Sequence, residues 1–94
     1  MRHIFVINPK AGRVDRTPEI SAKLKDYDGK LDYEIYVTKS LGDAQGYVRT
    51  YLQTHDGKET YRFHACGGDG TLYDVVNGAY GFANAEVACL ALGS

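Results

Sequence analysis

Four short apolar runs alternate with three helix-patterned stretches along the chain, and this alternation leaves few folds open. Residues 3–7 form a compact apolar run stopped by Asn8-Pro9-Lys10-Ala11-Gly12, the pattern of a buried strand entering a loop. Residues 32–38 alternate, with Tyr33, Ile35 and Val37 on one face and Glu34 and Tyr36 on the other, which predicts an edge strand. Residues 61–66 resume a strand that breaks off at Gly67-Gly68-Asp69-Gly70-Thr71. Residues 86–92 are almost uninterruptedly apolar, as expected for a strand covered on both faces.

Between the strands the apolar period changes to three and four. Thr17-Pro18-Glu19 offers an N-cap, a proline at the first helical position and an acid in the first turn. Ile20, Leu24 and Tyr27 continue that helix until Asp28-Gly29 closes it. Ala44, Tyr47, Val48, Tyr51 and Leu52 make the stripe of a second helix, despite Gly46. Leu72, Val75, Val76, Ala79 and Tyr80 make that of a third, ending near Gly81. Strands joined by helices pair in parallel through right-handed crossovers, so the fold class is α/β: one three-layer, doubly wound parallel sheet of about four strands with three helices. At 94 residues the chain suits one domain spanning residues 1–94.

In an open parallel sheet the ligand lies beyond the carboxyl ends of the strands. Three loops gather there, at residues 8–13, 38–42 and 67–71. The third is the most informative, because Gly67, Gly68 and Gly70 predict a tight, positive-φ turn whose N–H groups face a ligand. Thr71 opens the following helix, whose amino end attracts phosphate. Asp69 is an odd carboxylate to find in an anion site, unless it meets magnesium or takes a proton from an attacking hydroxyl; a turn-stabilising Asx bond is the alternative. Lys10, Arg13 and Arg16 are candidate phosphate partners. Neither Gly-x-x-x-x-Gly-Lys-Ser/Thr nor Gly-x-Gly-x-x-Gly is present, which removes the main support for P-loop and dinucleotide readings.

The bulk numbers narrow the function by exclusion. A net charge of −1 gives no general attraction for nucleic acid or an acidic bilayer, so no nucleic-acid partner is expected. The apolar run at residues 4–7 is too short for a signal peptide or a membrane span, which makes a cytoplasmic location the default expectation. Cys66 and Cys89 fall in apolar runs without metal-ligand spacing, and both are expected as buried, reduced thiols. Tyr33, Tyr47, Tyr51 and Tyr80 are expected to pack in the core, and His64 to be a hydrogen-bonded interior residue. No partner is evident for His3 or His55.

Asn8-Pro9-Lys10-Ala11-Gly12 after the first strand, with Gly67-Gly68-Asp69-Gly70-Thr71-Leu72 and Val75-Val76-Asn77-Gly78, resembles the catalytic domain of diacylglycerol kinases, which sphingosine and ceramide kinases share. The Gly-Gly-Asp-Gly-Thr stretch also occurs in NAD kinases, and the Asn-Pro-Lys-Ala-Gly loop narrows the likeness to lipid kinases. The resemblance implies strand order 2-1-3-4, ATP between the loops, magnesium bridged mainly through the phosphates, and transfer of the γ-phosphate to a lipid hydroxyl. It places Asn8, Pro9, Lys10, Ala11, Gly12, Thr38, Gly67, Gly68, Asp69, Gly70, Thr71, Leu72, Tyr73 and Asp74 at the nucleotide, Asp69 as catalytic base or magnesium partner, and the Ser94 hydroxyl where the family has threonine.

Tyr73-Asp74 stands where the family usually carries Asn-Glu, and Ala91 where it carries proline. The likeness covers about the first third of a family member. The expectation is therefore an ATP-binding half, inactive alone, whose lipid substrate meets a further C-terminal domain, with peripheral membrane contact by the parent protein. It also implies an exposed apolar edge at residues 87–92 through which copies could associate. The alternatives are an NAD kinase-like fragment and a non-catalytic nucleotide- or phosphate-binding module.

Overall fold

The computed structural model describes residues 1–11, 14–40, 42–55 and 59–91. The elements alternate as β1 (Arg2–Ile7), α1 (Thr17–Lys25), β2 (Tyr33–Val37), α2 (Asp43–Thr54), β3 (Tyr61–Gly67), α3 (Asp69–Ala79) and β4 (Ala85–Ala91). The strands form one sheet in the order β2-β1-β3-β4, with every neighbouring pair parallel. From β1 the chain steps outward to β2, then crosses back over β1 to β3 and on to β4. The connections leaving β1 and β3 therefore diverge, and a crevice opens over the carboxyl ends of these two neighbours.

Alternation along β1 and β3 sends side chains into two cores. Ile4, Val6, Phe63 and Ala65 meet Ala44, Val48 and Leu52 of α2 and Val75 and Ala79 of α3 on one face. Ile7 and Cys66 meet Ile20 and Leu24 of α1 on the other. Phe63, Ile4, Ile7, Val6, Val48 and Val75 are fully buried, each contributing roughly 1.5–3 kcal/mol through apolar area removed from water. A strand with both faces covered reads as unbroken apolar sequence, which is why β1 was legible from four residues.

Several expectations fail at element ends and edges. Thr17 is the first residue of α1, not its N-cap; Arg16 holds that position, and the Asp15 carboxylate accepts the Thr17 N–H at 2.8 Å. The helix stops at Lys25, so Tyr27 is 53% exposed, while Gly29 turns the chain at φ +80° and brings Leu31 onto the α1 core instead. Tyr80 is exposed because α3 ends at Ala79 and the extended backbone at Tyr80 swings it outward. Tyr47 and Tyr51 do pack against sheet and helix, and Tyr33 is half-buried on the edge strand.

β4 is not covered on both faces. Its Ala85 and Val87 pack toward α3, but Cys89 on that same face and Leu90 on the α1 face are both exposed on this strand at the edge of the sheet. Cys89 is thus not the buried thiol expected of it. Cys66 is buried, and burial followed by the nearness of Cys89 pushes its thiol up to about 12, which keeps it protonated. Cys89 pairs in register with Ala65, so the two cysteines point to opposite faces of the sheet, and both are free.

His64 is half-buried, with Nε2 2.9 Å from Nδ1 of His3 and its ring stacked 4.2 Å from that of Phe5. Burial, then the neighbouring His3 and Arg62, hold its pKa down to about 4 from an ordinary 6.5. Between those values the unfolded chain binds more protons than the folded one, so this contribution to stability is complete above 6.5 and is lost as pH falls toward 4. Thermal midpoints are expected to fall across that window, and His64→Phe, which keeps the stack, to flatten the decline. An equal slope in the variant would exclude His64 as its source.

Candidate functional site

The three loops are fastened to the sheet by backbone bonds that continue its ladders. The Asn8 N–H donates to Cys66 O at 3.0 Å, and the Thr38 N–H donates to Ile7 O at 2.9 Å. The Asn8 side chain then accepts the Lys10 N–H at 3.0 Å, and the Ala11 N–H donates to Asn8 O at 3.2 Å, closing a tight turn after β1.

The glycines of the third loop work differently from the sequence expectation. None of Gly67, Gly68 and Gly70 has positive φ; among the described residues that conformation belongs to Gly29, Gly42 and Gly81. Gly67 is required by contact, since a Cβ there would lie 2.4 Å from Thr71 Oγ1 and 3.4 Å from Asn8 Cβ. Its missing side chain lets the first turn of α3 fold down beside the β1 loop. A Cβ on Gly68 or Gly70 would meet nothing within 4 Å, so those two leave open surface above the amino end of α3. Gly68 is the N-cap, and no side chain caps this end, which leaves its first N–H groups without an intrahelical partner.

An open pocket of about 570 Å³ lies over these loops, a size suited to a small-molecule ligand. Asn8, Pro9, Lys10 and Ala11 line it from the first loop, and Thr38, Lys39, Ser40 and Gly42 from the second. Ala44 lines it from α2, and Gly68, Gly70, Thr71 and Asp74 from the start of α3. Two lysines face one carboxylate, and the amino ends of α2 and α3 both open here without a side-chain cap. Helix amino ends carry partial positive charge. Lysines and uncapped helix amino ends together are an arrangement that can hold an anion.

Of the residues expected at the ligand, Asn8, Pro9, Lys10, Ala11, Thr38, Gly68, Gly70, Thr71 and Asp74 are brought together in this lining. Gly67 is packed beneath it, Leu72 turns toward the core shared by α2 and α3, and Tyr73 is 67% exposed. Asp69, first residue of α3, is exposed and stands outside the lining. Gly12, Arg13 and Ser94 lie outside the described residues. Arg16 is not at the pocket either; it pairs with Glu19 at 3.5 Å beside α1. Lys39, Ser40, Gly42 and Ala44 are lining residues that no motif singled out. Their one sequence signal is position, immediately after a parallel strand.

The diacylglycerol kinase catalytic domain model matches residues 2–94. Among solved structures, one described as a diacylglycerol kinase from Bacillus anthracis str. Sterne aligns with a TM-score of 0.70 and 26% identity, over 98% of this chain and 33% of that one. A second, from the same organism and assigned to the same kinase class, aligns with a TM-score of 0.71 and 25% identity, over 99% and 33%. The chain therefore spans about a third of the length of these structures. No protein in the curated set matches it.

Proposed function

Because the chain belongs to the diacylglycerol kinase catalytic domain family, we propose that its pocket holds ATP and that the parent enzyme transfers the γ-phosphoryl group to a lipid hydroxyl, such as that of diacylglycerol. The observation that carries this reading is the convergence of three strand-end loops, two lysines and two helix amino ends on one pocket. Polyphosphate needs such a place, because backbone N–H groups and lysines together offset its charge.

In the transfer, the lipid oxygen bonds to the γ-phosphorus, the bond from that phosphorus to the bridging oxygen of ADP breaks, and the hydroxyl proton passes to a base. Asp69 suits that base. It is exposed and adjoins Gly68 and Gly70 of the pocket lining, a position that an acceptor arriving from outside can reach. Magnesium bound with ATP neutralises phosphate charge. Asp74 is the carboxylate in the pocket lining and would be the side chain within reach of such a metal.

Because the chain spans about a third of the length of these solved kinases, lipid phosphorylation is assigned in this reading to the full-length enzyme and ATP binding to the pocket described here. No described helix is long and apolar enough to cross a membrane.

Calorimetric titration of the folded chain with ATP and magnesium tests the reading. One-site binding is expected, and Asp69→Asn should bind equally or more tightly, since it removes an exposed negative charge from the rim of an anion site. In the full-length enzyme the same variant should lose lipid phosphorylation. A folded chain that gives no heat with ATP would overturn the proposal.

A further inference from the structure

Beyond Thr38 the chain leaves the support of the sheet and must bend from β2 into α2 while presenting Thr38, Lys39 and Ser40 to the pocket. Two donors converge on one carboxylate oxygen at this bend. The Tyr36 hydroxyl and the Lys39 N–H both donate to Asp43 Oδ2, at 2.7 and 2.8 Å. The Asp43 N–H donates to Ser40 O at 3.2 Å, and Gly42 supplies the left-handed step at φ +84° that a side chain would disfavour. Tyr36 is itself immobilised, its ring stacked 3.7 Å and 4° from that of Tyr47 on α2. One side chain thus ties the last turn of β2, the middle of the loop and the first turn of α2 together, without lining the pocket.

We infer that Asp43 is a positioning residue for the nucleotide: its bonds to Tyr36 and Lys39 set the loop that carries Thr38, Lys39 and Ser40 to the ligand. This rests on the pocket being an ATP site. The bond from Tyr36, then that from Lys39, holds the Asp43 carboxyl below its ordinary value, so the group is ionised and accepts both donors at neutral pH. The same contact raises the Tyr36 hydroxyl above its own. A merely structural Asp43, acting as an acid in the first turn of α2, would affect melting and nothing else.

The test uses titration with ATP and magnesium, thermal melting and amide exchange on four proteins. Asp43→Ala is expected to weaken ATP binding by about 10- to 100-fold, the usual scale for losing a group that orients a binding residue. Asp43→Asn, which keeps one acceptor oxygen, should recover most of that loss. Tyr36→Phe, which keeps the stack and removes only the hydroxyl, should weaken binding with little change in melting. In Asp43→Ala the Lys39 amide should exchange faster while those of β1 and β3 do not. Wild-type affinity in Asp43→Ala, or an unchanged Lys39 amide, would overturn this inference and leave the ATP site standing. A folded wild-type chain that binds no ATP would overturn both.

Discussion

Gly68→Asp is expected to abolish ATP binding and leave the chain folded, with a melting temperature equal to or slightly above that of the wild type. The backbone at Gly68, φ −96° and ψ −163°, is extended and open to any residue, and a Cβ there meets nothing within 4 Å. The position is the N-cap of α3, where aspartate is among the preferred residues and exceeds glycine by only a few tenths of a kcal/mol. Nothing in the fold therefore resists the change. The new carboxylate, however, would occupy the helix end assigned to phosphate. Two unit charges ~4 Å apart at an effective dielectric of ~20 interact by about 4 kcal/mol, or about a thousandfold in affinity. Calorimetry beside a thermal melt checks both halves. Retained binding would mean that the phosphates lie elsewhere, and an unfolded variant would mean that the loop geometry is wrong.

The neighbouring glycine shows what the sequence could not say. Gly67-Gly68-Asp69-Gly70-Thr71 identifies a close-approach loop, but the expected reason, positive φ, holds at none of its glycines. Gly67 is needed because Thr71, four residues on, folds back against it as α3 begins, with Asn8 of the β1 loop at contact distance beyond. The strand-helix alternation carried the sheet and its parallel pairing, since burial of both faces leaves a mark on each strand. The alternation in β2 marked it as an edge strand and the resemblance implied the order 2-1-3-4, both as observed; what the residues of β4 misstated was its coverage. β4 has the apolar sequence of an interior strand and sits at an edge with Leu90 and Cys89 exposed.

The pocket was legible residue by residue where a motif marks it, and only as a loop position at residues 38–42, where the chain is ordinary. Asn8 to Ala11 and the α3 amino end stand out by composition. Lys39, Ser40 and Gly42 come to the lining only because β2 lies beside β1 and its loop rises at the same end of the sheet. Asp43 reads in sequence as an unremarkable first-turn acid, and its bond to Tyr36 depends on a stack between a strand and a helix. Such partners are set by tertiary contact, and a linear pattern contains no trace of them.

Gly78→Ala and Gly46→Ala should have opposite effects on stability, although each is a single added methyl in a helix interior. Alanine is favoured over glycine in a helix by about 0.8–1 kcal/mol. At Gly46, on the exposed side of α2, a Cβ meets nothing within 4 Å, so the variant should gain most of that amount. At Gly78 the methyl would stand 2.6 Å from Gln45 O and 2.9 Å from Val48 Cβ, where α3 lies against α2. A backbone carbonyl cannot rotate aside as a side chain can, so the helices must separate. They are held there by buried Val48, Val75 and Ala79 and by the Arg49 guanidinium, which donates to Asn77 O at 2.8 Å. Overpacking of a tight core costs roughly 1–3 kcal/mol and sometimes more. A backbone clash belongs at the upper end of that range, which leaves a net loss of about 2 kcal/mol after the helix-propensity gain. At this chain length that lowers the melting temperature by about 10 °C, while Gly46→Ala should raise it by several degrees. Because the amino ends of both helices frame the pocket, Gly78→Ala should also weaken ATP binding and Gly46→Ala should not. Equal shifts in the two variants would mean that α2 and α3 do not meet at Gly78.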